Sequence, residues 1–252
     1  MIDLAIITRL ALLLIRPGFL VATAPPFGGQ YTPVPVKVGL SVVLGIAISP
    51  TVAMPASLTL AALTVMAIRE AAIGLALGLS IRILMAGAEL AGQLTGFQLG
   101  FAYAATVDPQ TGARNNLIAA LYSSITLLTF LGINGHHALL RALAESYQAM
   151  PIGIGHVDSQ MATSVAALLG LLFVFGTQMA APIVIVLLVA ELAVGLISRA
   201  APALNLMVIG FPIRLLAGLV ALAAAVGVVP SVVTRLVMPA LELAGRLAYG
   251  FR

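Results

Sequence analysis

The chain has 252 residues, 62% of them hydrophobic and only 8% charged, whereas an ordinary soluble domain is about 25% charged and 45–50% apolar. Its 12 Lys and Arg, 8 Asp and Glu and net charge of +4 are too few to clothe a globule in water and too scattered for the basic stripe that nucleic acid requires, and the absence of cysteine excludes disulfides and thiolate metal sites. Lipid or partner helices must cover what remains, so the expected fold is an all-α integral membrane protein of several kinked hydrophobic helices and helical hairpins, forming one multi-helix membrane domain over 1–252 with short loops.

The segment Met1 to Leu20 is apolar but holds Asp3, Arg9 and Arg16, has no small-residue cleavage site and runs into Ala24-Pro25-Pro26. It reads as a first membrane helix rather than a removed signal peptide. A turn-rich stretch, Ala24 to Lys37, separates it from Val38 to Ile68, which carries no ionisable side chain. That interval exceeds the roughly 20 residues that cross a bilayer core, and Pro50 and Pro55 break it. Further loops are expected at Thr106 to Asn116 and Ala144 to Gln160, and further charge-free intervals at Ser159 to Ala190, interrupted by Pro182, and Leu215 to Thr234. Four to six hydrophobic segments follow, some as kinked helices or hairpins. Lys and Arg occur in nearly every loop, so the positive-inside rule gives no clean topology, as expected of hairpins that do not all cross the bilayer conventionally.

Glycines recur every fourth residue at Gly74 and Gly78, and at Gly92, Gly96 and Gly100. This spacing stacks them on one helix face, where neighbouring backbones can approach closely, or where a helix can bend beside a pore. Charges inside hydrophobic segments cost about 2.5–3.5 kcal/mol each near a helix centre, so Arg69, Glu70, Arg82, Glu89, Glu191, Arg199 and Arg214 must face protein or a water-filled space. Arg82 with Glu89, and Glu191 with Arg199, each share roughly one face. Structural ion pairing or inter-subunit contact is one use of them, and proton or ion handling the other.

No enzyme chemistry is evident. The histidines His136, His137 and His156 lack the i, i+4 spacing of a zinc protease, and His136 and His137 follow the turn signal Asn134-Gly135. Neither a phosphate-binding glycine loop nor a Gly-x-Ser-x-Gly elbow occurs, so no metal, cofactor or catalytic residue is expected.

One stretch is more specific. Leu99-Gly100-Phe101-Ala102-Tyr103-Ala104-Ala105-Thr106-Val107-Asp108-Pro109 resembles a signature of the FliR family, membrane components of the flagellar type III protein export apparatus. Arg16-Pro17 with Thr23-Ala24-Pro25, Glu89-Leu90-Ala91-Gly92-Gln93, Asn134-Gly135-His136, Met150-Pro151-Ile152-Gly153, and Arg199-Ala200-Ala201-Pro202 through Ile209-Gly210-Phe211-Pro212 resemble the same family in order and at suitable spacing. The resemblance implies a non-enzymatic subunit of the export gate of the bacterial flagellum basal body, in the inner (plasma) membrane. Its implied partners are FliP and FliQ, an FlhB-like switch protein and unfolded flagellar subunits as cargo. It also implies a FliP-like portion over 1–160 and a FliQ-like hairpin portion over 161–252.

In that family the loop matching Gly100, Phe101, Tyr103, Val107, Asp108 and Pro109 lies toward the channel axis and plugs the closed gate. Apolar residues between a glycine and an Asp-Pro turn suit this, because a bendable hydrophobic constriction excludes water and yields to a polypeptide; a helix end buried against its neighbours is the plainer reading. Family members often carry a second bulky residue where Thr106 stands, which shifts the seal toward partner subunits. The charges Arg82, Glu89, Glu191 and Arg199 become inter-helix or inter-subunit contacts, and Gly74, Gly78, Gly92 and Gly96 close-packing positions. The equivalent subunit of a virulence-type injectisome would share these motifs, and a small-solute secondary transporter would use the acids as an ion site.

Overall fold

The computed structural model describes residues 4–29, 32–49, 59–100, 117–152, 161–201 and 206–249. Among them eight α-helices and no strands occur: α1 Leu4–Thr23, α2 Val34–Ile48, α3 Leu60–Gln98, α4 Leu117–Gly132, α5 Gly135–Ala149, α6 Met161–Ala200, α7 Leu206–Val226 and α8 Val229–Tyr249. The all-helical expectation is met.

Local chemistry sets the boundaries. Helix α1 stops before Pro25-Pro26, since a residue preceding proline is driven out of the helical region. Pro33 and Pro35 begin α2, where a missing N–H costs nothing. Gly100 ends α3 at φ 88°, its N–H donating to the Phe97 carbonyl at 3.1 Å, as glycine does past a helix end. Between α4 and α5 the chain turns through Asn134 at φ 57°, one of the few side chains that tolerates this conformation, and the two helices differ in direction by 65°. A similar break of 52° separates α7 from α8 at Gly227-Val228.

Among the described residues two helices are long and apolar enough to cross a membrane, Leu60–Gln98 and Thr163–Ala200, and up to four spans result if each bent pair counts as one. At 1.5 Å per residue the 39 residues of α3 and the 40 of α6 outrun a 30 Å hydrocarbon core by roughly twofold.

Three boundaries differ from the sequence reading. Pro182 does not turn α6 into a hairpin, because the helix continues through it from Met161 to Ala200. The polar residues Glu145, Ser146 and Gln148 belong to α5 rather than to a loop starting at Ala144: Glu145 and Gln148 lie on the exposed side of an amphipathic helix, and Ser146 is buried on its other side. Leu215 to Thr234 is the end of one helix and the start of another. The breaks expected at Pro50 and Pro55 lie outside the described residues, between α2 and α3.

The chain forms two compact units that interleave in sequence, one from residues 1–84, 130–171 and 237–252, the other from 85–129 and 172–236. In the first, α1 packs on α2, and Leu13 and Leu20 of α1, Ile73, Leu77 and Ile81 of α3, and Leu139 and Leu143 of α5 are buried. In the second, Leu99, Phe175, Ile183 and Leu187 are buried. Glycines permit the closest approaches: a methyl group on Gly74 would overlap the Arg16 carbonyl, on Gly78 the Thr23 side chain, and on Gly92 the backbone of Ala119.

Candidate functional site

The most concentrated polar chemistry lies in the first unit, where α1, α3 and α5 meet at Arg16. Its guanidinium is fully buried, and so is the Glu70 carboxylate opposite. Nε donates to Glu70 Oε2 at 2.8 Å and Nη2 to Oε1 at 2.9 Å, the side-on bidentate fork that suits arginine and carboxylate. Nη1 donates to Ser146 Oγ at 2.9 Å, and Nη2 also reaches the Met150 carbonyl at 3.1 Å. The Ser146 hydroxyl in turn donates a hydrogen bond to the Leu143 carbonyl at 2.6 Å. Met150 is the residue past the end of α5, so its carbonyl has no helical partner, and Arg16 supplies one.

Tyr147 completes the cluster. Its ring lies 4.0 Å below the Arg16 guanidinium carbon, a cation–π contact, and its hydroxyl donates to the Leu13 carbonyl at 2.8 Å. Leu13 stands four residues before Pro17, inside α1, so the proline deprives that carbonyl of its helical donor and Tyr147 replaces it. In the second unit Tyr122 likewise ties two helices together, donating to the Met179 carbonyl of α6 at 3.3 Å.

These residues hold helices together. The carboxylate is paired, the serine hydroxyl is committed to a carbonyl, and among the described residues no cluster of three His, Asp or Glu could hold a metal. Beside the cluster Arg69 is 9% exposed, with Nε and Nη2 lacking a hydrogen-bond partner.

Other sequence-derived residues fall elsewhere. Glu191 pairs with Arg214 of α7, both side chains 37% exposed. Arg199 is exposed on the last turn of α6. Arg82 is exposed, Glu89 is half-buried, and the two do not form a salt bridge with each other. Gly96 is buried. Gly100 is half-buried with its left-handed backbone near the Phe211 ring, whereas Phe101, Tyr103, Val107, Asp108 and Pro109 lie outside the described residues. The sequence reading counted Glu70 among the buried charges but not Arg16, Ser146, Tyr147 or Met150. The available signal was Arg16 beside Pro17 within an apolar run, a charge and an orphan carbonyl that both need partners from another helix.

The sequence profile described as "Bacterial export proteins, family 1" matches residues 7–240. The chain belongs to this family, within its FliR branch. It is 34% identical over 215 residues to the flagellar biosynthetic protein FliR of Escherichia coli (strain K12), covering 84% of this chain and 81% of that protein. The FliR of Bacillus subtilis (strain 168) is 33% identical over 81% of this chain and 80% of its own length. The FliR of Pectobacterium carotovorum subsp. carotovorum is 32% identical, with 84% and 81% covered. The chain is therefore a membrane component of the flagellar export apparatus, and its helices fit that assignment through two to four candidate spans.

Proposed function

We propose that this chain is a non-enzymatic subunit of a protein-conducting gate in the bacterial inner membrane, assembling with FliP and FliQ homologues, and with an FlhB-like switch protein, to pass unfolded flagellar subunits. The observation that carries the reading is helix α6: its apolar window is only 17% buried within the chain, against 61% for α3. Leu188, Val189, Leu192 and Leu196 present an exposed apolar surface that lipid alone or partner helices must cover. A FliQ-like hairpin portion over 161–252 would lay that surface against neighbouring subunits, with 1–160 acting as the FliP-like portion. The segment from Gly100 to Pro109 would serve as the gate's plug, hinged at a glycine already in the left-handed region.

The flagellar names of its relatives favour export of flagellar subunits over an injectisome role. Coexpression with FliP and FliQ homologues, mild detergent extraction and mass measurement test the proposal. A large complex with one or a few copies of this chain is the expected result. A monomer or simple homodimer beside well-expressed partners overturns it and directs attention to solute transport.

A further inference from the structure

A cavity of the first unit, about 630 Å³, opens between α5 and α8. Its walls carry two charge pairs in opposite order: Arg141 and Glu145 one turn apart on α5, Glu242 and Arg246 one turn apart on α8. All four side chains are exposed, and neither of the salt bridges among the described residues, Arg16–Glu70 and Glu191–Arg214, involves them. The rest of the lining is mostly apolar, with Leu77, Met150, Met238 and Leu241 among its larger side chains.

This combination restricts the occupant. Two guanidinium groups and two carboxylates sum to zero, so a purely anionic ligand is attracted by the two arginines but repelled by the two glutamates, and a purely cationic one the reverse. A ligand bearing both signs a few ångströms apart satisfies both, and the apolar wall calls for a hydrocarbon portion beside them. The volume falls within the roughly 300–1,000 Å³ typical of small-ligand sites. Both walls are amphipathic helices, a character that suits the membrane interface, where an apolar face meets acyl chains and a charged face meets head groups.

We propose that the α5–α8 cleft is a binding site for a zwitterionic phospholipid whose head group joins a phosphate to a primary ammonium, the phosphatidylethanolamine class. Arg141 and Arg246 hold the phosphate, Glu145 and Glu242 accept from the ammonium, and an acyl chain lies along Met238 and Leu241. Ser146 and Met150 line this cleft and also hold Arg16, so a bound head group rests against the cluster that joins α1, α3 and α5.

The test is native mass spectrometry of the full-length chain, delipidated in detergent and titrated with phosphatidylethanolamine, phosphatidylcholine and phosphatidylglycerol of one acyl composition. Phosphatidylethanolamine is expected to bind at least about fivefold more tightly than the other two, the size of one partly exposed charge-assisted hydrogen bond. The Glu145→Gln/Glu242→Gln variant should erase that preference while retaining phospholipid, and Arg141→Gln/Arg246→Gln should weaken all three lipids. The substituted side chains are exposed, and unchanged thermal unfolding would verify intact folding. Equal binding of the three lipids to the parent chain, unchanged binding by both variants, or a photocrosslinker at position 141 that captures a protein instead of lipid in the membrane would each overturn the proposal.

Discussion

Arg16 and Glu70 bring one positive and one negative charge to full burial, and both carboxylate oxygens and four guanidinium donors are hydrogen-bonded there. Removing one partner strands the other, which costs about 3–5 kcal/mol, whereas replacing both by apolar side chains is often close to neutral. Glu70→Gln is therefore expected to lower the thermal midpoint in detergent sharply, and the Arg16→Met/Glu70→Leu double variant to recover most of the loss. A double variant as unstable as the single one would show that the hydrogen bonds to Ser146 and Met150 matter more than charge balance. Tyr147→Phe should cost less, about 1–3 kcal/mol for an unsatisfied Leu13 carbonyl. The sequence made part of this legible: Glu70 stands in a hydrophobic run and must find a partner. Its partner was not legible, because Arg16 lies 54 residues away and Ser146 a further 76 beyond Glu70, and no local periodicity links residues that meet only through packing.

Helix class and the close-packing glycines follow from local sequence; helix ends follow less well. Gly74 and Gly78 stand one turn apart and both face α1, so their four-residue spacing and their contacts agree. Pro182, by contrast, signals a break that does not occur, since α6 continues through it from Met161 to Ala200 and membrane helices tolerate an internal proline. The α4–α5 turn depends on two residues: Asn134 at φ 57°, and Gly135, where any side chain would overlap the Phe130 ring. Asn134→Gly should leave thermal stability nearly unchanged, while Asn134→Val should cost about 1–2 kcal/mol because a branched side chain is disfavoured in the left-handed region. Equal midpoints for the two variants would mean that the turn relaxes into another conformation.

For the whole molecule, the question is which function the exposed apolar surfaces and the segment from Gly100 to Pro109 serve. Glu89 is half-buried on a helix whose glycines Gly92 and Gly96 are buried. As an inter-subunit contact it predicts that Glu89→Ala reduces the complex recovered on a native gel without altering any pH-dependent rate, and full recovery would count against the assignment. The proposal that Gly100 to Pro109 plugs the gate makes a separate prediction. A hydrophobic constriction excludes ions because water leaves a narrow apolar passage, so replacing Phe101 and Tyr103 by serine should let ions or small solutes leak while assembly, judged by the mass of the copurified complex, stays intact. Conductance at the parent level in that intact complex would assign the segment to helix packing and leave the seal to the partner subunits, which the small Thr106 already favours.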